Sequence, residues 1–267
     1  MANAYVHGYD QKEAQRLHDQ ATTLVDLLHL DTAFPAGSTV LEAGCGVGAQ
    51  TVAIAERSPG AHIISIDLSE VSLREARKAV EGNKLSNVTL LQGDILELNF
   101  APESVDHVFL CFVLEHLPQP MDALNALKRV LKSGGTITTI EGDHGSTFFH
   151  PDSEHARRAI QCQVTLQAEA GGDALIGRRL YPLLRDAGFR DVMVSPRMVY
   201  ADATRPAMVE GFTRKTFTAM IEGVRKPALD RNLLSALDFD KGIAALRRAA
   251  KGDGVFCYTF FKATGRR

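Results

Sequence analysis

The chain has 267 residues, with 30 Lys and Arg against 32 Asp and Glu, and a formal net charge of −2. This length accommodates one elaborated domain, or a core with a small attached lid. The nearly balanced charge argues against the strongly basic surface by which proteins bind polyanions, so no nucleic-acid partner is expected.

The cysteine spacing and the hydropathy of the chain indicate in which cellular compartment the protein is expected. The four cysteines are far apart and form no CxxC pair, which predicts reduced, mostly buried thiols and no metal site. The first residues lack the apolar segment of a signal peptide, and no apolar run is long enough to cross a bilayer. We expect a soluble, cytoplasmic protein without a membrane partner, either a monomer or a homodimer.

The first half of the chain alternates between helical and strand-like patterns. Apolar residues recur at helical spacing from Gln11 to Leu30. Alternation of this kind indicates right-handed crossovers between parallel strands. The predicted strands are Thr39–Leu41, His62–Asp67, Val88–Leu91, Val105–Phe112 and Thr136–Ile140, and the predicted helices between them are Ala49–Arg57, Glu70–Gly82 and Pro120–Leu131.

The alternation breaks after Glu141. Two long, mostly helical connections follow, and they are predicted to form a cap over the sheet. The further predicted elements are helices at Asp152–Ala170, Tyr181–Ala187, Arg205–Lys226 and Asn232–Ala250, and strands at Asp191–Tyr200 and Val255–Lys262.

The resulting fold prediction is an α/β class protein with a doubly wound, seven-stranded, mostly parallel sheet and helical cap insertions. We expect a single domain over 1–267. Its predicted parts are an N-terminal helical cover at 1–35, a cofactor-binding core at 36–144, cap insertions at 145–178 and 201–252, and the remaining core helix and strands at 179–200 and 253–267.

A glycine-rich turn follows the first predicted strand, with Gly44, Gly46 and Gly48 at alternate positions. Glycine permits positive φ and lets the backbone approach a ligand closely. Open α/β sheets bind ligands at the carboxyl ends of their strands, where this turn lies. Asp67 follows by one helix and one strand, close to the spacing that brings a carboxylate onto a ribose.

Two ligands fit this pattern. Gly44, Gly46 and Ala49 satisfy the dinucleotide fingerprint, in which a pyrophosphate sits at a helix N-terminus. Glu42, two residues before the first glycine, would repel a pyrophosphate but suits a ligand with an ammonium and a sulfonium. The charge therefore favours S-adenosylmethionine (SAM) over a dinucleotide.

The ordered motifs resemble those of the class I SAM-dependent methyltransferases. Residues 41–51, LEAGCGVGAQT, look like motif I, and the resemblance spans Val40 to Ile140. The nearest group is the ubiquinone/menaquinone-biosynthesis-like small-molecule methyltransferases. The further motifs that carry the resemblance are Asp67, Gly93-Asp94, the stretch 112–118 and the stretch 132–135. The resemblance implies SAM as cofactor and S-adenosyl-L-homocysteine as product.

On the methionine side of the cofactor, the resemblance implies contacts from Gly44, Gly46 and Gly48, with Cys111 and Phe112 lining the same side. Cys111 has a plain alternative as a small buried hydrophobic residue.

On the nucleoside side, the resemblance implies that Asp67 takes the ribose hydroxyls with Leu68 against the adenine. Asp94 would accept the adenine amino group beside Ile95, and Tyr9 would cover the cofactor. Asp67 could instead only cap the next helix, and Asp94 could only form a turn.

The acceptor side is less defined. His144, flanked by glycines in a predicted loop, is the first candidate for a base or an acceptor-orienting group, and His116 is the second. Both have an alternative as packing residues. Predicted acceptor contacts are Glu115, Glu141, Asp143, Arg197, Tyr200 and Phe217. Of these, Glu141 and Asp143 either bind a cationic acceptor or hold their loop, and Phe217 either packs the cap or lines the pocket.

The leading functional hypothesis is methyl transfer from SAM to an oxygen, nitrogen or carbon atom of a small molecule by in-line displacement. The alternatives are an NAD(P)-dependent oxidoreductase, which rests on the glycine fingerprint, and a SAM-dependent methylase of a macromolecule. No metal is expected in any of these hypotheses.

Overall fold

The structure is a computed structural model that describes residues 11–267, with side chains described from residue 16 onward except that of His18. Tyr9 lies outside the described residues, so its role stays a prediction.

A seven-stranded sheet organises the described chain, with the strand order β3-β2-β1-β4-β5-β7-β6. The pairs β1–β2, β2–β3, β1–β4 and β4–β5 are parallel. The strands are β1 (Thr39–Ala43), β2 (His62–Asp67), β3 (Val88–Gln92), β4 (Val105–Cys111), β5 (Leu131–His150), β6 (Arg190–Ala201) and β7 (Val255–Arg266). The predicted doubly wound, mostly parallel seven-stranded sheet is confirmed.

The chain reverses its direction of travel across the sheet between β1 and β4. From β1 it moves outward to β2 and β3, then returns to place β4 on the other side of β1. A reversal of this kind opens a crevice beyond the carboxyl ends of the two central strands, and ligands of open α/β sheets bind there. The turn after β1 and the segment after β4 therefore flank the expected ligand position.

Helices connect and cover the strands. The α-helices are α1 (Gln11–His29), α2 (Ala49–Arg57), α3 (Glu70–Gly82), α4 (Pro120–Val130), α5 (Glu154–Glu169), α6 (Leu180–Asp186), α7 (Pro206–Met208), α8 (Ala219–Gly223), α9 (Arg225–Asp230) and α10 (Ala236–Ala249). Two 3-10 turns (Leu114–His116 and Ile176–Arg179) and a π-helix (Val209–Thr218) complete the described chain. No helix in the described residues is long and apolar enough to span a membrane.

The chain divides into two compact units. The first, the core unit, comprises Leu28–Glu141, Ile176–Pro196 and Phe261–Arg267. It contains β1 to β4, and its hydrophobic core includes Leu41, Val108 and Ile137. The central strands β1 and β4 are largely buried, as expected for strands of a parallel sheet covered on both faces, whereas the edge strand β3 is mostly exposed.

The second unit comprises the described residues up to Leu27 together with Gly142–Leu175 and Arg197–Phe260. It is mostly helical, and α5 packs closely on α10. Gly242 permits this approach, because a Cβ atom there would lie 2.8 Å from the Cβ of Ala159 and 2.6 Å from the backbone oxygen of His155.

The fifth strand differs from its prediction. It was expected to end at Ile140, but the structure continues it to His150. Polar residues such as Asp143 and His144 tolerate burial here because each has hydrogen-bond partners within the protein. The loop predicted around His144 is therefore wrong.

Candidate functional site

The turn after β1 is a chain of left-handed glycines. Gly44, Gly46 and Gly48 have φ values of +77°, +53° and +77°, a region that residues with a Cβ rarely adopt. The backbone N–H groups of Gly44 and Cys45 both donate to the carbonyl oxygen of Ile66, at 2.8 and 2.9 Å. These bonds fasten the turn to the end of β2.

The three glycines have different surroundings. A Cβ on Gly44 would lie 2.7 Å from Cγ2 of Val113, and one on Gly48 would lie 2.9 Å from Cα of Ala76 in α3. A Cβ on Gly46 would meet no atom of the described residues within 4 Å. Gly44 and Gly48 are thus places of close packing, whereas Gly46 faces open space in which a ligand can approach the backbone.

Asp67 joins the turn to the next helix. Its Oδ2 accepts the N–H of Gly46 at 2.8 Å, and its Oδ1 accepts the N–H of Ser69 at 2.8 Å. Burial raises the pKa of this carboxyl, while the two backbone hydrogen bonds lower it. Ser69, and not Asp67, caps α3, because the Ser69 hydroxyl accepts the N–H of Ser72. Asp67 is therefore half-buried and bonded to the glycine turn, and the hydroxyl that caps α3 belongs to Ser69.

Glu42 lies beneath the turn and is buried, with 2% of its surface exposed. Its Oε2 accepts the hydroxyls of Thr51 and Ser65, both at 2.6 Å. Burial raises its pKa to about 7, and Asp67 adds to that shift while the two hydroxyls oppose it. Glu42 thus places a titratable carboxyl below the glycine turn.

The nucleoside-side candidates lie beside the ends of β2 and β3. Leu68 follows Asp67 and is 60% exposed, which leaves an apolar surface open to a flat ring. Oδ1 of Asp94 accepts the N–H of Leu96 at 2.8 Å, so Asp94 forms a turn, which is the alternative to its predicted adenine contact. Asp94 and Ile95 remain half-buried after the third strand.

The segment after β4 is strained. Phe112 has φ +59°, which is uncommon for a bulky residue and costs about 1–2 kcal/mol. Its N–H donates to the carbonyl oxygen of Ile140 at 2.9 Å. Strain of this kind is kept where the surroundings hold it and is often found at functional sites. Cys111, just before it, is buried, and burial raises the pKa of its thiol.

Three acceptor-side candidates lie in the core unit near this segment. Glu141 is fully buried, and its Oε1 accepts the N–H groups of Val113 at 3.1 Å and Leu114 at 2.8 Å. Burial and the charge of Glu115 raise the pKa of Glu141 well above its usual range. Glu115 is buried and lies 3.7 Å from Nε2 of half-buried His116.

His144, Asp143 and Phe217 lie in the second unit. Nδ1 of His144 is 3.1 Å from the hydroxyl of Tyr258, and the His144 backbone N–H donates to Ala174. Oδ1 of Asp143 accepts the N–H of Gly145, which favours the loop-holding alternative for Asp143. Phe217 is 1% exposed, and its ring centroid lies 5.9 Å from that of His144.

The remaining candidates are near the end of β6. Arg197 is half-buried and Tyr200 is 40% exposed. In the part of the chain that the structure describes, no group of three or more His, Cys, Asp or Glu side chains is arranged to hold a metal ion.

Sequence reasoning missed two features. Tyr258, the hydrogen-bond partner of His144, lies in an apolar strand pattern that gives no sign of a polar role. The π-helix Val209–Thr218 was expected to be an ordinary helix. The hydroxyls of Thr216 and Thr218 each donate to the carbonyl five residues earlier, at 2.8 and 2.6 Å, which accompanies the wider turn.

The glycine surroundings predict a graded loss of stability. Gly46→Ala adds only left-handed strain, whereas Gly48→Ala adds the same strain and a clash with α3. We expect Gly48→Ala to lose about 1–3 kcal/mol more unfolding free energy than Gly46→Ala. Urea denaturation of the protein without cofactor measures both. Equal losses would show that the packing of Gly48 on Ala76 contributes nothing.

The pKa of Glu42 predicts a pH-dependent stability difference. The folded carboxyl has a pKa of about 7 and the unfolded one about 4.3, so between these values the folded state holds the extra proton. Stability is therefore lost as pH rises through this window. Glu42→Gln cannot ionise, so relative to the wild type it should gain on the order of 3 kcal/mol between pH 5 and pH 8. Glu56→Gln, on the exposed face of α2, is the control. If the stability difference between Glu42→Gln and the wild type were the same at pH 5 and pH 8, the raised pKa of Glu42 would be contradicted.

Comparison with known proteins gives matches over part of the chain. Residues 41–139 match the family described as Methyltransferase domain. An uncharacterized 37.1 kDa protein in transposon TN4556 of Streptomyces fradiae is 35% identical over 190 residues, covering 70% of this chain and 54% of that protein. A demethylmenaquinone methyltransferase of Listeria welshimeri is 36% identical over 106 residues, covering 39% of this chain and 45% of that protein. The chain thus spans about half the length of these curated relatives.

A solved structure agrees at the level of the fold. Geranyl diphosphate C-methyltransferase from Streptomyces coelicolor matches with a TM-score of 0.56 at 17% identity, over 93% of this chain and 78% of that one. The matched residues 41–139 run from β1 into β5 and contain the glycine turn, Asp67 and the strained segment after β4. Residues 41–139 are thus similar to the methyltransferase-domain family, and a demethylmenaquinone methyltransferase is among the proteins that this part of the chain resembles.

Proposed function

We propose that this protein transfers a methyl group from SAM to a small-molecule acceptor by in-line displacement. The observation that carries the proposal is the bond between the Asp67 carboxylate and the N–H of Gly46, at the position where the sheet reverses. It places a carboxylate against an open glycine turn, and the family of residues 41–139 supports the same function.

The residues present fit SAM. Gly46 leaves open space above the turn, and Asp67 keeps lone pairs beyond the two that it uses, so it can accept ribose hydroxyls. The exposed face of Leu68 suits the adenine ring, and Asp94 and Ile95 lie after the neighbouring strand. Glu42 supplies a buried carboxyl whose ionised form complements an ammonium and a sulfonium, directly or through water.

The same geometry disfavours NAD(P). A dinucleotide fold offers backbone N–H groups of the glycine turn to the pyrophosphate. Here the Gly46 N–H is already taken by a carboxylate, and the Gly44 N–H donates to Ile66. A pyrophosphate in this position would meet Asp67 and Glu42, both negative when ionised. The cost of bringing like charges together in a poorly hydrated site argues against it.

The sulfonium supplies an activated methyl group, so the chemistry asked of this chain is mainly alignment and the exclusion of water. Alignment alone contributes on the order of 7–11 kcal/mol in well-oriented reactions. A base is needed only for a protonated, weakly nucleophilic acceptor such as a phenol, an alcohol or an acidic carbon, and it adds about 10²–10⁴-fold.

A small-molecule acceptor is supported by the family group and not by any single pocket. The Listeria relative is named demethylmenaquinone methyltransferase, but its similarity covers 39% of this chain. Specificity in such proteins depends on elements outside the shared cofactor segment. We therefore propose the class, a small molecule with an oxygen, nitrogen or carbon nucleophile, and not a named metabolite.

We propose His144 as the group that deprotonates or orients the acceptor. The Tyr258 hydroxyl at Nδ1 fixes the ring, which is how a second group usually sets the orientation of a catalytic histidine. Its ring also lies beside Phe217 in a cluster of aromatic side chains. His116, beside Glu115 after β4, is the second candidate.

The cofactor assignment predicts a specific pattern of binding. Calorimetric titration should give binding of SAM and S-adenosyl-L-homocysteine and none of NAD. Asp67→Ala should weaken SAM binding by about 1.5–3 kcal/mol, since it removes hydrogen bonds to a charged group. Asp186→Ala, an exposed carboxylate of the core unit, is the matched control and should bind SAM normally. NAD binding without a response to SAM would contradict the proposal.

The acceptor-side assignment predicts a separation of binding from turnover. Incubation with labelled SAM and a metabolite library should yield a small labelled product, and label confined to protein or RNA would contradict a small-molecule acceptor. With that acceptor, His144→Ala should keep SAM affinity and lose about 10²–10⁴-fold in turnover.

Tyr258→Phe should lose part of the same turnover, because it removes the hydroxyl and keeps the ring. Tyr181→Phe, at an exposed tyrosine, is the control. Unchanged turnover of His144→Ala would exclude the residue.

A further inference from the structure

Glu141 holds the segment that follows β4. A single oxygen, Oε1, accepts the N–H groups of both Val113 and Leu114, at 3.1 and 2.8 Å. The next residue back along β5, Ile140, accepts the N–H of Phe112 at 2.9 Å. Three successive backbone N–H groups after β4 are therefore held by two successive residues of β5.

These hydrogen bonds maintain the left-handed backbone conformation of Phe112, which would otherwise relax. Phe112, with φ +59°, lies in the left-handed region that bulky residues rarely adopt. Such a conformation persists when the surroundings determine it from both sides. Here Ile140 holds the N–H of Phe112 itself, and Glu141 holds the two residues after it.

The held segment packs directly on the glycine turn. A Cβ on Gly44 would lie 2.7 Å from Cγ2 and 3.0 Å from Cγ1 of Val113. The Val113 side chain therefore fills the space that the missing side chain of Gly44 leaves. A shift of Val113 would either open a gap beneath the turn or push into it, because packed interiors have little free space.

Packing alone does not account for a carboxyl at this position. Glu141 has none of its surface exposed, and its Oε2 is buried without a hydrogen-bond partner among the described residues. Burying such a group costs stability, and an apolar residue of similar volume would avoid that cost but leave two backbone N–H groups without their acceptor. What Glu141 supplies and an apolar residue cannot is an acceptor for two backbone N–H groups.

We propose that Glu141 is a positioning residue for cofactor binding. By fixing the backbone of residues 112–114, it keeps the Val113 side chain packed against Gly44. This packing sets the shape of the glycine turn where the turn faces the methionine part of SAM. This inference rests on the proposed function. It differs from the expectation that Glu141 contacts the acceptor, because it assigns the effect to SAM affinity.

Three variants separate positioning from stability. Glu141→Met keeps the side-chain volume and removes the hydrogen-bond acceptor, whereas Glu141→Gln keeps an acceptor oxygen without the charge. Glu56→Met is the control, because it makes the Glu-to-Met substitution on the exposed face of α2. Thermal unfolding reports stability, calorimetry reports SAM affinity, and amide hydrogen exchange reports opening of residues 112–114.

We expect Glu141→Met to unfold below the wild-type temperature, because the N–H groups of Val113 and Leu114 lose their acceptor, but to remain folded at the assay temperature. The folded variant should bind SAM about tenfold more weakly, with faster exchange at residues 112–114. Glu141→Gln should stay within about threefold of the wild type in affinity, because its amide oxygen still accepts both N–H groups. Glu56→Met should match the wild type in all three measurements.

Two results would overturn the inference. In the first, Glu141→Met binds SAM as tightly as the wild type, with any defect confined to the KM for the acceptor. In the second, Glu141→Gln is as impaired as Glu141→Met, which would assign the effect to the charge and not to the acceptor oxygen. If the wild type binds no SAM, the proposed function itself fails. Hydrogen exchange at residues 112–114 in Glu141→Met would still test whether Glu141 fixes this segment.

Discussion

The candidate site depends on the hydrogen bond that the Gly46 N–H donates to the carboxylate of Asp67. This bond joins the turn after β1 to the end of β2 and fixes the left-handed turn in one shape. It also determines which ligands the turn can take, because the N–H that a phosphate would need already has an anionic partner. Around it, Glu42 adds a second carboxyl and Gly46 leaves open space for a ligand.

Buried carboxyls are used here at a cost in stability. Glu42 is almost fully covered and has its pKa raised to about 7, and Glu141 is fully covered with its pKa raised further. Neither has a cationic side chain bonded to it. Glu42 is satisfied by two hydroxyls, and Glu141 by two backbone N–H groups. Such an arrangement gives up folding free energy and gains a fixed electrostatic environment at the crevice.

The sequence predicted those features that depend on local pattern. The strands from Thr39 to Cys111 and the helices between them follow hydrophobic runs. The glycine turn and Asp67 were identified for the same reason, since spacing along the chain is enough to place both at the ends of adjacent strands.

Features that depend on distant partners could not be predicted. The extension of β5 to His150 is accompanied by hydrogen bonds such as that between His144 and Tyr258, which are more than a hundred residues apart. The left-handed Phe112 is held by Ile140, and the double contact of Glu141 is visible only once β4 and β5 are paired. An acidic residue after a strand suggests a ligand contact, and only the structure reveals that its oxygen is used by the backbone.

The most direct test of this account is a crystal structure of the protein with S-adenosyl-L-homocysteine. The account predicts the nucleoside beside the glycine turn, with a ribose hydroxyl within about 2.5–3.0 Å of an Asp67 oxygen and the thioether toward Cys111 and Phe112. A turn left empty at saturating ligand, or one filled by a diphosphate, would contradict it.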